Sequence, residues 1–364
     1  MSNPIGTAVI GFGYWGVNLT RNVGMAETTN LIGVCDPDEE RRALATSKHP
    51  GIQTWSSLDD VLGDESVEAV VLATPASTHF TLGMQILESG RHLMVEKPLA
   101  ETVEHAEALN READARALVL MVGHTFLYSA PVHHLKGWID SGDLGDVTYL
   151  YSQRLSLGRI RRDTNALWNF APHDISIMNF LLGETPAQVT AKGFSFIQQG
   201  IDDVCFASLT YPSGVGANLH VSWIDPRKTR LMTVVGDEKM AIFNDISADQ
   251  PLWMVDSGVA RSEGLGEYES LGDFQWRTRA GDIMIPRIAM REPLLSEIEA
   301  FGQAATEGTS VPTDGRHGLE VVKVLTAIQE SALMNGKPVD ITPTELPSRP
   351  ALPGAADRFG EVAA

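Results

Sequence analysis

The sequence predicts two domains: an α/β domain with a parallel sheet and helices on both faces, then an α+β domain with a large, mostly antiparallel open sheet. Three observations support this. Short apolar segments alternate with amphipathic segments as far as residue 123, which is the pattern of parallel strands joined by right-handed helical crossovers. A glycine-rich turn follows the first apolar segment. Beyond residue 123, strand-like segments follow one another through short connections, which favours antiparallel pairing.

The first domain, assigned to residues 1–123, takes its elements from this alternation. Apolar segments rich in β-branched residues predict strands at 5–10, 30–35, 52–55, 68–73, 92–95 and 119–123. Apolar residues at helical spacing predict helices near 14–24, 38–47, 77–89 and 102–117. Ligands bind beyond the carboxyl ends of parallel strands, so the residues that follow these strands are the first candidates for a site.

The second domain is assigned to residues 124–342. Its predicted strands are 147–155, 187–196, 203–211, 215–223, 229–236 and 239–244. Its predicted helices lie near 131–141, 168–182, 293–306 and 315–335. Hairpin turns are expected at 211–214 and 236–239 because Pro, Ser, Gly and Asp cluster there. The segment 343–364 is rich in Pro and Ala and lacks periodicity, which predicts an extended or disordered tail.

The composition is that of a soluble globular protein. Of 364 residues, 43% are hydrophobic and 21% charged, and no apolar run approaches the length of a membrane helix. The formal net charge of −19 argues against a nucleic-acid partner, which needs a basic face. Cys35 and Cys205 each sit in an apolar run, which favours buried thiols over a disulfide. With no signal peptide at the start of the sequence, these features predict a cytoplasmic protein.

The turn that follows the first strand has the spacing of a dinucleotide site. Gly11, Gly13 and Gly16 form a G-x-G-x-x-G pattern between a buried strand and a helix. The first glycine permits the tight turn, the second lets a pyrophosphate approach the backbone, and the third allows the helix to pack on the strand. The pattern predicts a Rossmann domain whose helix N-terminus faces the phosphates. The alternative is an ordinary βα turn in a flavodoxin-like sheet.

An acid at the end of the second strand indicates which dinucleotide is bound. Asp36 follows the apolar segment 31–35, twenty residues after Gly16. A carboxylate there accepts hydrogen bonds from the ribose hydroxyls of NAD and repels the 2′-phosphate of NADP, so NAD is predicted and NADP is the less favoured alternative. Arg41 and Arg42, in the next helix, could stack on adenine or, as a less favoured alternative, hold a phosphate, or they could belong to a solvated helix face.

A third strand end carries Glu96, Lys97 and Pro98. The proline restricts Lys97 to an extended conformation at the mouth of the sheet. A lysine held beside a nicotinamide can donate to a substrate hydroxyl or carbonyl and take part in proton transfer. The alternative is a surface lysine before a turn.

Together, these residues carry a family resemblance. The GFGYWG turn, the acid after strand two, the Glu96-Lys97-Pro98 tripeptide and the following antiparallel sheet resemble the glucose–fructose oxidoreductase / inositol dehydrogenase (Gfo/Idh/MocA) family from Thr7 to about Asp340. The resemblance implies that Lys97 is catalytic. It also implies that His173, on a helix of the second domain, lies opposite the nicotinamide.

Further stretches resemble the branch of this family that oxidises the 3-hydroxyl of UDP-N-acetylglucosamine or its uronate. These stretches are 158–165, 167–178, 222–230, 281–286 and 292–294. Asn169 stands where many relatives carry Asp, so a second carboxylate near the histidine is missing and the substrate is less certain than the reaction type. Asn169 lies one turn before His173 and could select its tautomer. The N-terminus of this helix is expected to favour the neutral imidazole, which a base needs; a core-facing or capping histidine is the alternative.

The cofactor and substrate candidates follow from these motifs and from the resemblance. The cofactor candidates are Gly11, Phe12, Gly13, Tyr14, Trp15, Gly16, Asp36, Arg41, Thr74, Pro75, His79, Glu96, Lys97 and Trp168. The substrate candidates are Lys97, Arg154, Arg161, Asn165, Asn169, His173, Arg227 and Arg230. Arginines 159, 161 and 162 in one loop, and Arg227, Lys228 and Arg230 in another, are candidates for a diphosphate, unless they are solvated loop charges. No metal is expected.

The expected reaction is oxidation of a sugar hydroxyl, with hydride passing to NAD, His173 taking the hydroxyl proton and Lys97 holding the oxygen. This requires the amine and the imidazole to meet at one redox site. Three alternatives stay open: a dehydrogenase of a free polyol such as inositol, a non-catalytic sensor that binds NAD or a sugar, and a mainly structural oligomer. The apolar faces of the second sheet suggest a homodimer or homotetramer, which is compatible with catalysis.

Overall fold

The computed structural model describes residues 3–260 and 277–343. These residues form two compact units. The first unit comprises residues 3–128 and 291–326, and the second comprises residues 129–260, 277–290 and 327–343. Residues 344–364 of the predicted tail lie outside the described residues.

The first unit is built on a six-stranded parallel sheet, as predicted. Its strands are β1 (Ile5–Ile10), β2 (Thr29–Cys35), β3 (Gln53–Trp55), β4 (Ala69–Leu72), β5 (His92–Glu96) and β6 (Leu120–Gly123). They lie in the order β3-β2-β1-β4-β5-β6, so the strand order reverses between β1 and β4. All side chains of β1 and β4 are buried, which is the pattern of central parallel strands covered on both faces. The Rossmann prediction is confirmed.

Five helices accompany this sheet in the first part of the chain. They are α1 (Gly16–Met25), α2 (Glu39–Lys48), α3 (Leu58–Leu62), α4 (Ala76–Glu88) and α5 (Val103–Ala115). The short helix α3 was not predicted. Its N-cap is Ser57, whose hydroxyl accepts from the Asp60 backbone N–H and donates to the Asp60 carboxylate. This Ser-x-x-Asp signal was present in the sequence, but five residues are too few to show helical periodicity.

A helix from the far end of the sequence also belongs to the first unit. Helix α8 (Pro293–Glu307) was predicted in the domain 124–342, and the observed grouping differs because its apolar face joins the core beside α1 and β1. Gly302 makes this approach possible, since a Cβ there would overlap Thr28. At the start of α8, Glu292 accepts from Arg21 and from Asn22 on α1. The sequence separation of about 270 residues hides this pairing from local patterns.

The second unit is built on a nine-stranded, mostly antiparallel sheet, as predicted. Its strands lie in the order β14-β13-β12-β11-β7-β10-β9-β8-β15, and among the described strands of this sheet only β10 and β7 pair in parallel. The strands are β7 (Val147–Leu157), β8 (Gln188–Phe194), β9 (Val204–Thr210), β10 (Gly216–Ser222), β11 (Ile224–Gly236), β12 (Met240–Asn244), β13 (Leu252–Ala260), β14 (Arg277–Met284) and β15 (Val339–Asp340). Strands β13 to β15 were not predicted. Both predicted hairpin turns are confirmed, since 211–214 joins β9 to β10 and 236–239 joins β11 to β12 in antiparallel pairs.

Helices α6 (Ala130–Asp140) and α7 (Ala166–Leu182) also lie in the second unit, and α9 (Gly315–Leu333) contributes residues to each unit. Helix α7 begins two residues earlier than predicted because the Asn165 side chain caps it by accepting from the Trp168 backbone N–H at 3.0 Å. It ends at Gly183, whose φ of 69° suits glycine. It packs against β7, β9 and β10.

A buried ion pair fastens α7 to this sheet. Arg154 on β7 donates through Nε to Oδ2 of Asp174 at 2.7 Å and through Nη2 to Oδ1 at 3.1 Å. Their side chains are 6% and 4% exposed. Arg154 was predicted to contact the substrate, but its guanidinium is engaged with this carboxylate. Such a two-pronged pair fixes geometry as well as charge.

The thiol predictions are confirmed, because Cys35 and Cys205 are both buried and unbridged. Burial raises the pKa of Cys35 to about 11 and that of Cys205 to about 12, with nearby carboxylates adding to the shift. Within residues 3–260 and 277–343, no helix has both the length and the apolar character needed to span a bilayer.

The buried pair gives a stability prediction. Asp174→Asn keeps the shape of the side chain but removes the carboxylate from a buried guanidinium, so we expect a loss of about 3–5 kcal/mol in unfolding free energy. Urea unfolding at pH 7, followed by circular dichroism, measures it. Asp163→Asn is the matched control, because Asp163 pairs with Arg161 at the surface and should lose less than about 1 kcal/mol. Equal losses in the two variants would contradict the structural importance of the buried pair.

Candidate active site

The glycine turn between β1 and α1 is shaped by close backbone approach at two positions. Gly11 has φ of 94°, and a Cβ there would lie 2.6 Å from the Ala73 carbonyl oxygen. A Cβ on Gly16 would overlap the Gly11 carbonyl oxygen. Both positions therefore need glycine for the turn and for the contact of α1 with the sheet, as the sequence predicted.

Gly13 differs, because the protein itself leaves room there. A Cβ on Gly13 would have Arg41 Nη1 as its nearest neighbour, at 3.7 Å. The side chains that flank it, Tyr14 and Trp15, are 88% and 39% exposed, whereas Phe12 is buried. A glycine that packing does not require, at the N-terminus of a helix, leaves backbone open to a phosphate. The turn therefore fits a dinucleotide.

Asp36 lies against the glycine turn. It is 2% exposed, and its Oδ2 accepts from the Phe12 backbone N–H at 2.8 Å. Its Oδ1 accepts from the Asp38 N–H at 3.0 Å. Arg41 Nη1 lies 3.6 Å from Oδ2, so the two cofactor candidates are neighbours. The bond to Phe12, which ties the end of β2 to the turn, was not predicted.

The end of β4 is joined to the Lys97-Pro98 segment by His79. One ring nitrogen, Nδ1, lies 2.8 Å from the Pro98 carbonyl oxygen, and Nε2 lies 3.0 Å from that of Thr74. His79 is buried, and its pKa is lowered, chiefly by burial and less by Lys97. Pro75 is the N-cap residue of α4. His79 thus holds the segment after β5 against β4, a contact that its place in the sequence did not reveal.

Glu96 connects the glycine turn to β5. Its Oε1 accepts from Trp15 Nε1 at 2.6 Å, and its Oε2 accepts from the Lys97 backbone N–H at 3.3 Å. The carboxyl group lies on Gly123, where a Cβ would be 2.9 Å from Oε1. Burial raises the pKa of Glu96 to about 7, although Lys97 and the bond from Trp15 act in the opposite direction.

Lys97 follows β5 at the carboxyl edge of the parallel sheet, as predicted. Its charge influences Glu96, His79 and His124. It is half-buried rather than fully exposed. The side chain therefore lies among polar groups at the ligand edge of the first unit.

Two buried polar residues beside this edge were not identified as candidates. Glu297 on α8 is fully buried, and its Oε2 accepts from Thr125 Oγ1 at 2.7 Å. His124, directly after β6, is 1% exposed, and its ring packs edge-to-face on that of His317, with 5.4 Å between the ring centres. A glutamate among the apolar positions of α8, flanked by Leu294, Ile298 and Phe301, was the sequence signal that could have revealed the first.

In the second unit, His173 lies on α7, half-buried. Since α7 begins at Ala166, His173 is more than one turn inside the helix, beyond the first turn where the helix dipole acts most strongly. The expected effect of the helix N-terminus on this histidine is therefore weak. Asp174, its neighbour in sequence, accepts from Arg154 through both carboxylate oxygens, so it does not serve to orient the imidazole.

Other second-unit candidates lie around the start of the same helix. Asn165 uses its Oδ1 to cap α7, and its Nδ2 donates to Gln329 at 2.7 Å. Trp168 and Asn169 are half-buried residues of the first turns. Trp223, the residue that precedes β11, is fully buried and donates through Nε1 to Asp203 Oδ1 at 2.5 Å, so it is a core residue.

The two basic segments start at the same end of the sheet, but the second is not the predicted loop: it lies inside β11, in an irregular stretch between the pairs made by Ile224 and Thr229. Leu157 and Ile224 are paired in register, and Gly158 N–H donates to the Trp223 carbonyl at 2.9 Å. Arg161 is paired with Asp163, and Arg230 binds Asp245 at 2.9 Å. The exposed cations of these segments are Arg159, Arg162, Arg227 and Lys228. Across residues 3–260 and 277–343, no group of three or more His, Cys, Asp or Glu could hold a metal ion.

The chain is similar to several characterised proteins. The UDP-N-acetylglucosamine 3-dehydrogenase of Acidithiobacillus ferrooxidans is 28% identical over 87% of this chain and 93% of that protein. The NAD(+)-dependent scyllo-inositol 2-dehydrogenase of Bacillus subtilis is 24% identical over 94% of this chain and 97% of that protein. A 2,7-anhydro-N-acetylneuraminate hydratase of Mediterraneibacter gnavus is also 28% identical, but the match spans 57% of this chain and 58% of that protein.

The fold is shared with a solved structure of the A. ferrooxidans UDP-N-acetylglucosamine 3-dehydrogenase, GnnA. That structure matches with a TM-score of 0.73 at 26% identity, over 90% of this chain and 97% of the other. Residues 5–124 match an oxidoreductase family with an NAD-binding Rossmann fold, and residues 132–242 match the GFO/IDH/MocA C-terminal domain. The chain therefore belongs to the GFO/IDH/MocA family of NAD-binding oxidoreductases.

Proposed function

We propose that this protein oxidises a hydroxyl group of a nucleotide-linked sugar. The best candidate is the hydroxyl group on C3 of UDP-N-acetylglucosamine or of its uronate. The observation that carries the proposal is a group of exposed cations in the segment that follows β7 and in the first part of β11, which start from paired residues of the sheet. The segment after β7 leads into α7, the helix that bears His173. Arginine forks suit diphosphate oxygens, and a free sugar offers them no phosphate. The 28% identical dehydrogenase of A. ferrooxidans acts on such a substrate.

NAD fits the first unit. The space at Gly13, the start of α1 and the Asp36 carboxylate form a cradle for the pyrophosphate and ribose. When bound, NAD supplies a hydride acceptor. In this proposal the Gly11–Gly16 turn, Asp36, Arg41 and Thr74 contribute to cofactor binding. Trp168, half-buried on α7 of the second unit, keeps its proposed role beside the cofactor.

Lys97 and His173 have the acid–base roles in the proposal. Lys97 would donate to the substrate oxygen and stabilise negative charge that develops there. His173 would take the hydroxyl proton, which an imidazole does well near neutral pH. The charge of Lys97 already lies among the groups at the ligand edge of the parallel sheet. The two residues lie in different units, so the proposal requires both units at one substrate.

The exposed cations have the substrate-binding role. Arg227 is exposed in the irregular first part of β11, and Arg159 and Arg162 are exposed on the loop that leads into α7. Arg161 and Arg230 have carboxylate partners, so a diphosphate would compete with Asp163 or Asp245 for them. Arg154 and Asn165 would act by fixing α7 rather than by contacting the sugar.

A second candidate is a dehydrogenase of a free polyol. It is favoured by the similarity, over nearly the whole chain, to the B. subtilis scyllo-inositol 2-dehydrogenase. In that case the cations near α7 would be solvated loop charges, and the substrate would depend on hydrogen bonds alone.

We also propose that the outer face of the nine-stranded sheet mediates self-association. Tyr149, Tyr151 and Phe206 on this face are 48%, 40% and 44% exposed, and Phe206 stacks on His220 at 4.2 Å. Contiguous exposed aromatic groups are typical of protein interfaces.

Two buried thiols suit a reducing compartment, so the proposed location is the cytoplasm.

Gly13 provides a test of the cofactor site. Gly13→Ala adds a methyl group that meets no protein atom closer than 3.7 Å, so the melting temperature should stay unchanged. The same methyl would occupy the space of the pyrophosphate, and we expect NAD affinity to fall by at least about tenfold, or 1.4 kcal/mol. Calorimetric titration measures the affinity. Gly137→Ala, in an open position on α6, is the control, and unchanged NAD binding in Gly13→Ala would remove this glycine from the site.

The acid–base roles give a second prediction. Lys97→Ala and His173→Ala should each lower kcat by about 10²- to 10⁴-fold, since each removes a proton-handling group. NAD binding, measured by calorimetry, should persist in both variants. His134→Ala, on α6 with its ring against Trp138, serves as the histidine control. Full turnover in either site variant would exclude that residue from the mechanism.

The substrate class is tested with a panel of UDP-, dTDP- and GDP-sugars beside free sugars and inositols, with NADH formation followed by absorbance. We expect turnover with a nucleotide sugar and a KM that rises with salt, because ion pairs to a diphosphate are screened. Arg227→Ala should raise that KM, whereas Arg111→Ala should not, because Arg111 is an exposed residue of α5 that pairs with Glu107. Turnover of a free polyol alone, insensitive to salt, would favour the second candidate.

A further inference from the structure

Two carboxyl groups interact at the ligand edge of the first unit: that of Glu297 is fully buried, and that of Glu96 is half-buried. Glu96 ends β5, and Glu297 projects from α8, where Thr125 holds it. The charge of Glu96 disfavours ionisation of Glu297 and adds to the effect of burial, which raises the pKa of Glu297 well above its usual value. Two interacting carboxyl groups do not both ionise readily where one of them is buried, because the second charge repels the first in a medium of low polarity.

The two glutamates differ in the number of their hydrogen-bond donors. Glu96 accepts two hydrogen bonds, from Trp15 Nε1 and the Lys97 N–H, and lies in the field of the Lys97 ammonium. Glu297 accepts one, from Thr125, and its fully buried Oε1 has no hydrogen-bond partner. An ionised carboxylate with one oxygen unpaired in the interior is very costly. The negative charge of the pair therefore belongs on Glu96, and Glu297 is the neutral acid.

The other ionisable groups that surround the pair do not alter this assignment. Burial lowers the pKa of His79, lowers that of His317 to about 4, and lowers that of His124 well below its usual value, so these rings are neutral near pH 7. Burial also keeps Tyr128 neutral. Lys97, from the end of β5, acts on Glu96, and Tyr128, from the segment after β6, interacts with Glu297. The ionisable groups next to these two are His79 on α4, His124 after β6, Asp314 just before α9 and His317 on α9.

The bond from Trp15 links this charge to the cofactor turn. Trp15 lies between Gly13 and Gly16, and its exposed ring has Glu96 as the acceptor for its indole N–H. A hydrogen bond to an ionised carboxylate is roughly twice as strong as one to a neutral group. Protonation of Glu96 therefore weakens the contact that holds the glycine turn to β5.

We propose that Glu96 is a positioning residue for NAD binding: its ionised carboxylate holds Trp15 and thereby fixes the glycine turn in the form that receives the pyrophosphate. Glu297 stays neutral and keeps the charge of the pair on Glu96. The inference concerns NAD binding, which belongs to the family of this chain, so it is independent of the proposed sugar substrate.

The direction of the pH effect follows from the pKa of Glu96. Burial raises that pKa to about 7, so the group is mostly ionised at pH 8 and mostly neutral at pH 6. If only the ionised form positions the turn, the apparent Kd for NAD at pH 6 should exceed that at pH 8 by up to about tenfold, in proportion to the lost fraction of the competent form.

The experiment is calorimetric titration of the full chain with NAD at pH 6, 7 and 8. Glu96→Gln keeps an acceptor for Trp15 but cannot ionise, so its Kd should be weak and independent of pH. Trp15→Phe keeps an aromatic ring without the N–H, and it should also lose the pH dependence. This variant lies on an exposed turn and should fold even if Glu96→Gln does not.

Two variants on α8 complete the test. Glu297→Gln replaces a neutral acid by a neutral amide, so the pH dependence should persist; its disappearance would assign the titration to Glu297 and overturn the proposal. Glu299→Gln, at a partly exposed position of the same helix, controls for changes in surface charge. The proposal is also overturned if the wild-type Kd is equal at pH 6 and pH 8, or if NAD binds more tightly at pH 6, which would mean that repulsion between Glu96 and the pyrophosphate dominates.

Discussion

The close approach of backbone to backbone at the glycine turn is the constraint on which the cofactor site depends. Gly11 lies on the end of β4, and Gly16 lies on Gly11 itself. Because no side chain separates these segments, α1 starts directly at the carboxyl edge of the sheet. Asp36 strengthens the arrangement by accepting from the Phe12 N–H. Three strand ends thus meet at one turn, and the open side of that turn is left to Gly13.

The two units solve the problem of buried charge in different ways. In the second unit, Arg154 and Asp174 neutralise each other through two hydrogen bonds and fix α7 on the sheet. In the first unit, Glu96 and Glu297 are both acids and cannot neutralise each other. Glu96 has more hydrogen-bond donors than Glu297, so Glu96 carries the charge and Glu297 stays neutral. The first arrangement gives a rigid support. The second leaves one group able to change its charge near neutral pH.

The fold was largely predictable from the sequence because its elements are long or strongly patterned. Buried strands such as β1 and β4 are continuous apolar runs, and the hairpin at 211–214 carries its own turn chemistry. The missed elements are short or peripheral, such as α3 and β15. The grouping of α8 with the first unit could not be predicted, because it depends on contacts such as Arg21 with Glu292 that are remote in sequence.

The candidate site was predictable where a local motif defines it. The glycine turn, Asp36 and Lys97 lie where the motifs indicate, at the ends of β1, β2 and β5. The structure engages Arg154 and Asn165 within the second unit, in an ion pair and a helix cap. Glu297 was not predicted as a site residue because its interaction with Glu96 depends on the fold and not on a local motif. Sequence identifies which side chains can do chemistry, whereas partners in the fold decide which of them are already occupied.

The position of Arg41 over the turn affects how an anionic dinucleotide is captured. Arg41 lies within 3.6 Å of carboxylate oxygens of both Asp36 and Asp38, in a chain whose formal net charge is −19. A field of that sign opposes the diffusional approach of an anion, and the guanidinium and the free N–H groups at the start of α1 would attract it only within about a Debye length, roughly 8–10 Å at physiological ionic strength. We therefore expect salt to act in opposite directions on association and on the bound complex. It speeds association by screening the long-range repulsion, and it weakens the short-range attraction between the dinucleotide and these groups.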